Sequence, residues 1–323
     1  MPETLTPVEY ERQDNQESRF GDHAEILELM NHGEPRILGR IEDIVPLVNA
    51  HSNVVELAEL SKHQPIVGER VNKAELVFFN DPKQQIFGVF KPFDGENEEI
   101  RGFIGYQNFY THEHAAYLVS QHFGFDLVPP TTVRIINGRV GALQLFMLPD
   151  EFQTGENLAS VSDDEWENLK NSDDMMKLHL FDYILANPDR AQENYLVKYN
   201  KNSGLSLDEG NQPQIIAIDH GVAFSQHYYN NTENFKGPYF HLTVADQQSK
   251  KSTPTLTPIP EQLLDKIDQG QKRKDELTAK LAAINPDIAE HDLDALWDRI
   301  SDLVKYGHFI DRNNRVAIHD KLA

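Results

Sequence analysis

The stretch FDYILANPDRAQEN, residues 181–194, places an apolar helix directly before a polar loop. Residues 174–186 are predicted to form a buried helix, because apolar residues recur along them at helical spacing. The loop that follows carries Asp189 and, five positions later, Asn194. The sequence therefore predicts two oxygen-bearing side chains on a loop that emerges from the core.

A second acidic motif, Ile218-Asp219-His220-Gly221, follows an apolar run at 215–218 that is predicted to be a buried strand. A carboxylate at the end of such a strand is costly to bury unless it is paired or bound to a metal ion. Gly221 permits a tight backbone bend after it. His220 is predicted to be structural, because nothing near it in the sequence marks it as a base.

Two interpretations of these motifs are open. In one, Asp189 and Asn194 form an ordinary turn in which their side chains bond nearby backbone groups. In the other, Asp189 takes the proton of an attacking hydroxyl, while Asn194 and Asp219 give oxygen atoms to magnesium. An Asp, an Asn five residues later and an Asp-x-Gly after a strand have the layout of a phosphoryl-transfer centre.

Two further residues bear on that choice. Lys91 ends the apolar segment 87–91, where a lysine can reach nucleotide phosphates or simply extend to water. Glu113 lies in the first turn of a predicted helix over 111–123, where the helix dipole favours an acid. In a kinase-like arrangement Glu113 would instead pair with Lys91. The order Lys, Glu, Asp, Asn and Asp-x-Gly along the chain favours phosphoryl transfer.

The rest of the sequence predicts strands early and helices late, which is an α+β arrangement. The strongest local signal is Asn137-Gly138, the preferred pair for a tight hairpin turn, between strands at 131–136 and 139–145. An apolar stripe at helical spacing over 293–304 predicts a helix in the C-terminal third. Further strands are predicted at 74–79, 85–90, 195–197 and 214–218, and further helices around Trp166 and from Leu263 onward.

Composition excludes several classes of protein. The chain has 323 residues, enough for one two-lobed unit or two modest domains. A formal net charge of −22 argues against non-specific nucleic-acid binding, which needs a basic surface. Because there is no cysteine, disulfides, zinc–thiolate sites and cysteine nucleophiles are excluded. The absence of a long apolar window and of a signal peptide predicts a cytoplasmic protein without a transmembrane segment, and a secreted effector stays an alternative.

Several segments together resemble the phosphatidylinositol 3-/4-kinase-like group, which includes type II phosphatidylinositol 4-kinases and the HipA-like bacterial kinases. The resemblance is to a bacterial branch of that group and covers about residues 65–308. The segments are VFKP at 89–92, EHAAYLVS at 113–120, LVPPT at 127–131, FDYILANPDR at 181–190 and IDHGVAF at 218–224.

This resemblance implies a bilobal protein-kinase-like fold that binds ATP between a β-rich N-lobe and a mostly helical C-lobe. The predicted division of the chain is a polar N-terminal extension at 1–35, an N-lobe at 36–146 and a C-lobe at 147–323. The C-lobe is expected to be helical from about residue 255.

The resemblance also implies a role for each residue that matches its motifs. Lys91 would contact the phosphates of ATP, and Glu113 would pair with Lys91. Asp189 would be the catalytic Asp, and Asn194 and Asp219 would be the ligands of Mg²⁺ or Mn²⁺. The hinge that contacts adenine would consist of Gln144, Leu145, Phe146 and Met147.

One feature departs from a typical kinase. Between Gly39 and Gly88 the only glycine is Gly68, so no glycine-rich phosphate-covering loop is visible. Residues 72–76 occupy the place where that turn is expected.

The predicted function is that of an ATP- and metal-dependent phosphotransferase. A protein hydroxyl is favoured over a lipid as the acceptor, because an acidic protein binds an anionic membrane poorly. The alternatives are a catalytically weak pseudokinase that serves as a nucleotide-binding or scaffold module, a phosphoinositide kinase, and an enzyme that transfers the nucleotidyl group.

Overall fold

The structure is a computed structural model, and it shows an α+β protein with a β-rich N-terminal lobe and a mostly helical C-terminal lobe. No helix in the described part of the chain is long and apolar enough to cross a membrane. The described residues are 18–40, 74–82, 84–96, 108–148, 151–158, 163–200, 204–205, 213–224, 259–285, 288 and 292–307.

The N-terminal lobe is built on a five-stranded antiparallel sheet with strand order β1-β2-β3-β5-β4. One face packs on a short helix, α1, and the other face forms a second apolar cluster. The strands are β1 Pro35–Arg40, β2 Glu75–Asn80, β3 Gln85–Pro92, β4 Thr131–Ile136 and β5 Arg139–Leu145, and α1 is His23–His32.

The hairpin predicted around Asn137-Gly138 is confirmed, with both strands at the predicted bounds. Asn137 and Gly138 have φ angles of 51° and 78°, as a tight turn with two left-handed residues requires. Strand β5 then pairs with β3, so that Lys91 lies opposite Ala142. At the next pair Gly141 lies against Pro92, and a side chain at Gly141 would collide with the backbone of Lys91. The small residue therefore fixes how closely β5 approaches the strand that carries Lys91.

Helix α2, Phe109–His122, confirms the helix predicted over 111–123. It contacts β4 and β5 on one side and a C-terminal helix on another. Its Ala115, Tyr117 and Val119 are fully buried in the same core cluster as the apolar residues of the C-terminal lobe. The helix therefore belongs to both lobes, and its Glu113 lies where the two lobes meet.

The C-terminal lobe is mainly helical, and the helices predicted around Trp166, over 174–186 and over 293–304 are all present. Gly307, with φ 70°, ends the last of them. The helices are α3 Gly155–Leu158, α4 Asp163–Lys170, α5 Asp173–Leu185, α6 Glu261–Lys272, α7 Lys274–Ile284 and α8 Leu293–Tyr306.

This lobe also contains a small antiparallel sheet. Strand β7 lies at its centre and pairs antiparallel with β6, β8 and β9. The strands predicted at 195–197 and 214–218 are therefore present and pair with each other, and the second strand is shorter than predicted. The strands are β6 Phe152–Thr154, β7 Tyr195–Asn200, β8 Gly204–Leu205 and β9 Ile215–Ala217.

Part of the segment predicted to be a polar extension is packed structure. Asp22 caps α1 by accepting the backbone N–H groups of Ala24 and Glu25. Ile26 and Met30 then pack against the sheet. The helix escaped sequence reasoning because only three buried residues mark its apolar face. The region between Gly39 and Gly88 that lacks a glycine-rich loop falls mostly at 41–73, outside the described residues.

Candidate active site

Lys91 joins the two lobes. It lies near the end of β3, and its ammonium group forms an ion pair with Glu113 Oε1 on α2. The same nitrogen lies 3.0 Å from Asp219 Oδ1, which follows β9 in the C-terminal lobe. The predicted contact between Lys91 and Glu113 is therefore present. The ammonium group of Lys91 therefore contacts both Glu113 and Asp219, which lie far apart in the sequence.

The charges of this trio stabilise one another. Burial alone would lower the pKa of Lys91, but the carboxylates of Asp219 and Glu113 outweigh it and raise that pKa above its usual value. Burial alone would raise the pKa of Glu113, yet Lys91 and His220 hold it well below its usual range. Both side chains are therefore charged at neutral pH.

Glu113 also ties α2 to the turn that carries Asp219. Its second oxygen, Oε2, accepts the backbone N–H of His220 at 3.0 Å. One residue earlier in the helix, His112 Nδ1 lies 3.0 Å from the carbonyl oxygen of Gly221. Gly221 approaches the helix so closely that a side chain there would lie 3.2 Å from Cβ of Phe109. The bend that was expected at Gly221 therefore serves the docking of this turn onto α2.

Asp219 has an unusual backbone conformation. Its φ angle is 58°, in the left-handed region that few residues with a side chain adopt, although Asp and Asn do so more often than most. The side chain is 45% exposed, whereas that of Glu113 is 3% exposed. The turn therefore presents the Asp219 carboxylate to the cleft while the neighbouring His220 ring is buried.

The polar loop after α5 begins with a left-handed residue, Ala186, whose φ angle is 49°. Asn187 is buried, donates to Asp182 Oδ1 at 2.9 Å and accepts the N–H of Asp189 at 3.3 Å. Asn194 Nδ2 donates to the carbonyl oxygen of Asp189 at 2.7 Å. The local turn bonds of the first interpretation are therefore present. Asp189 takes part in them through its backbone N–H and carbonyl oxygen, and Asn194 takes part through its side-chain Nδ2. The Asp189 side chain is exposed.

The loop and the Asp219 turn lie side by side. The N–H of Ile218 donates to the carbonyl oxygen of Asn194 at 3.2 Å. Asn194 and Asp219 therefore offer an amide and a carboxylate oxygen from adjacent backbone segments, a hard donor set that suits Mg²⁺ or Mn²⁺. Within the described ranges, no group of three or more His, Cys, Asp or Glu residues could hold a metal ion. A metal at this pair would therefore take further ligands from phosphate oxygens and water.

Arg190 is the site residue that sequence reasoning missed. Its side chain is buried and forms an ion pair with Asp182 on α5, at 2.9 Å. It also donates to the carbonyl oxygens of Asn194 and Ile218, the latter at 2.7 Å. No sequence signal pointed to this role, because its partners are brought together only by the fold.

The four predicted hinge residues do not share one environment. Gln144 is buried, and its Nε2 donates to Thr131 Oγ1 at 2.9 Å. Phe146 packs in the cluster on the outer face of the sheet. Leu145 and Met147 belong to a different cluster, together with Ile218, the residue before Asp219. Leu145 and Met147 therefore pack beside the residue that precedes Asp219, and the role of all four residues as a hinge stays a prediction.

The structure is a two-lobed α+β protein in which Lys91, Glu113 and Asp219 meet between the lobes. Among solved structures, the chain is similar to the Helicobacter pylori proinflammatory kinase CtkA, with a TM-score of 0.42 and 14% sequence identity. The similarity covers 76% of this chain and 95% of that chain. No family model matches the chain, and no curated protein matches it.

Proposed function

We propose that the protein is an ATP- and metal-dependent phosphotransferase that acts on a protein hydroxyl. The observation that carries this proposal is the ion-pair trio of Lys91, Glu113 and Asp219, which joins the two lobes across the cleft. A buried Glu that orients a Lys on the central sheet, opposite an Asp at the end of a C-lobe strand, is the arrangement that kinases use to hold nucleotide phosphates.

Lys91 and Asp219 exchange partners when nucleotide enters. Their contact at 3.0 Å involves a carboxylate that is 45% exposed, so water and ligands can reach it. Lys91 then turns to the phosphates as a point charge while Glu113 keeps it in place. The carboxylate of Asp219, no longer paired with Lys91, would then hold the metal together with Asn194.

The metal supplies positive charge that neutralises the transferred phosphoryl group. The chain supplies the positions of the oxygens that would hold it. Asn194 and Asp219 are fixed by the backbone bond between their loops, and Asp189 stands at the exposed start of the same loop. Asp189 takes the proton of the acceptor hydroxyl as the hydroxyl oxygen bonds to the γ-phosphorus of ATP. The bond from that phosphorus to the β–γ bridging oxygen breaks, and ADP leaves.

A protein acceptor is favoured by charge. A formal net charge of −22 repels an anionic membrane surface, where a phosphoinositide would have to be reached. The exposed position of Asp189 suits a side-chain hydroxyl presented from outside.

The test is incubation with labelled ATP and Mg²⁺ or Mn²⁺, followed by the mass of every product. We expect metal-dependent transfer of one phosphoryl group, to the protein itself or to an added protein. Asp219→Ala should abolish it, whereas Asp164→Ala, which removes an exposed carboxylate from α4, should not. No transfer by the wild type would contradict the proposal, and an adenylyl product would replace it with nucleotidyl transfer.

A nucleotide sensor without turnover is the second candidate, favoured by the absence of a glycine-rich stretch between Gly39 and Gly88. Thermal unfolding separates the two candidates, because a ligand that binds the native state raises its melting temperature. Stabilisation by ATP and metal without any product would support the sensor.

A further inference from the structure

Arg190 bonds to several partners beside the Asp219 turn. Its guanidinium group is fully buried, with Asp182 as its charged partner. Nε donates to Asp182 Oδ2 at 2.9 Å, and Nη2 donates to Asp182 Oδ1 at 3.0 Å. Asp182 lies on helix α5 and also accepts a hydrogen bond from Asn187, so its carboxylate holds the guanidinium group in one position. Its remaining donors are therefore aimed in set directions.

The first arm of Arg190 joins the two loops that carry the proposed metal ligands. Nη1 donates both to the carbonyl oxygen of Asn194 and to that of Ile218, the residue before Asp219. Nη1 thus binds the backbone oxygen of Asn194 itself and that of the residue before Asp219. Together with the Ile218 N–H bond to Asn194, it holds the two backbone segments at one separation.

The second arm reaches the other half of the site. Nη2 lies 2.9 Å from Nε2 of His220, and because arginine only donates, this nitrogen of His220 accepts. The backbone N–H of His220 donates to Glu113, and Glu113 holds Lys91. A continuous set of contacts therefore runs from Arg190, on the polar loop after α5, through His220 and Glu113 to Lys91 in the N-terminal lobe.

We propose that Arg190 is a positioning residue that sets the separation of Asn194 and Asp219 and aligns this pair with Lys91 and Glu113. The inference rests on the proposed function, since it assigns the residue that assembles the same site. Lysine cannot take its place, because a single ammonium lacks the planar fork that serves Asp182, two carbonyl oxygens and His220 together.

The test measures metal binding and does not depend on turnover. The melting temperature of the full chain is recorded at fixed ATP while Mn²⁺ is titrated. In Arg190→Lys, we expect the half-saturating Mn²⁺ concentration to rise about 10- to 100-fold, as for residues that orient metal ligands. The matched control is Arg134→Lys, which replaces another guanidinium bonded to backbone carbonyls, those of Met30 and Gly33 at the end of α1. Its half-saturating Mn²⁺ concentration should stay within about twofold of the wild-type value, because distant sites act independently.

The outcomes separate the two proposals. If the wild type responds to Mn²⁺ and ATP but Arg190→Lys has the same half-saturating concentration, the role of Arg190 is refuted and the proposed function stands. A lower melting temperature without nucleotide, with no change in the Mn²⁺ dependence, would mean a purely structural residue and has the same consequence. If the wild type shows no metal-dependent response to ATP, both proposals fall.

A second variant covers the case in which Arg190→Lys does not fold. Asp182→Asn keeps the shape of the partner but removes the charge that anchors the guanidinium. It should raise the half-saturating Mn²⁺ concentration in the same direction, and an unchanged value would overturn the inference.

Discussion

The proposed metal-binding end of the site and its proposed hinge end, called the metal end and the hinge end below, are held together by different interactions. At the metal end, Lys91, Glu113, Arg190 and Asp219 are held by ion pairs and by bonds to backbone atoms. At the hinge end, partly buried Leu145 and Met147 share an apolar cluster with residues of the C-terminal lobe. The contacts at the metal end therefore depend on the directions of the hydrogen-bond donors and acceptors. The contacts at the hinge end depend on how well apolar side chains fill the available volume.

This difference decides how each end responds to substitution. A buried polar network loses more than one contact when a member is removed, because its partners are left unpaired in a medium of low dielectric constant. Apolar packing tolerates exchange among side chains of similar size. Single substitutions should therefore cause large losses of activity or unfolding free energy at the metal end and small losses at the hinge end.

The largest effect is expected on turnover at Asp189. Replacing it by Asn removes the proton acceptor, and general bases contribute about 10²- to 10⁴-fold to rates. Because Asp189 is exposed, the unfolding free energy should change by less than about 0.5 kcal/mol. Single-turnover transfer and urea denaturation measure the two quantities. A variant that loses stability as well as activity would show that Asp189 belongs to the packed network.

The next effect concerns the stability of the ion-pair trio. In Lys91→Met the buried Glu113 carboxylate loses its main partner, which should cost about 3–5 kcal/mol of unfolding free energy. Asp219→Asn is the matched variant, because it removes a carboxylate from the same lysine. Since Asp219 is 45% exposed, that change should cost less than about 1 kcal/mol. Equal losses in urea denaturation would mean that Glu113 does not depend on Lys91.

The pH dependence of stability isolates Glu113. Its pKa in the folded protein is depressed below the ordinary value of 4.5, so its contribution is complete above that value and is lost as the pH falls. The difference in unfolding free energy between the wild type and Glu113→Gln should therefore be constant from neutral pH to about 5 and then shrink. Burial lowers the pKa of His114 and His179 to about 4, but these groups titrate alike in both proteins. A difference that stays constant at low pH would contradict the ion pair.

The smallest effect is expected at the hinge end. Met147→Ala removes part of a half-buried apolar surface and should lower the unfolding free energy by about 1 kcal/mol. The KM for ATP should rise only about threefold to tenfold, which corresponds to about 0.7–1.4 kcal/mol. Steady-state kinetics with Met147→Leu as the conservative control measure this change. Loss of all ATP binding would mean that the hinge end is as demanding as the metal end.

Local signals in the sequence were sufficient for much of the fold. Asn137-Gly138 specifies its hairpin through two left-handed residues, and the apolar stripe of α8 specifies its buried face. Lys91, Glu113 and Asp219, which the sequence predicts for phosphate and metal binding, lie together in the structure, and their roles in binding stay predictions. Lys91 and Glu113 were predicted to pair, and they do so in the structure.

Contacts between distant segments could not be predicted in the same way. Arg190 meets Ile218 and His220, which lie 28 and 30 residues further along the chain, and arginine is usually an exposed residue. The orientation of Gln144 depends on its bond to Thr131 across the hairpin. In both cases the sequence defines the chemistry of a side chain, and only the packed fold defines its partner.

The central claim is tested most directly by calorimetric titration of ATP into the full chain, with Mg²⁺ and with a chelator in its place. The wild type should bind ATP in a Mg²⁺-dependent manner, and Asp219→Ala should lose that dependence while it stays folded. The claim would be contradicted if ATP did not bind at all, or if it bound equally well to both proteins with and without the metal.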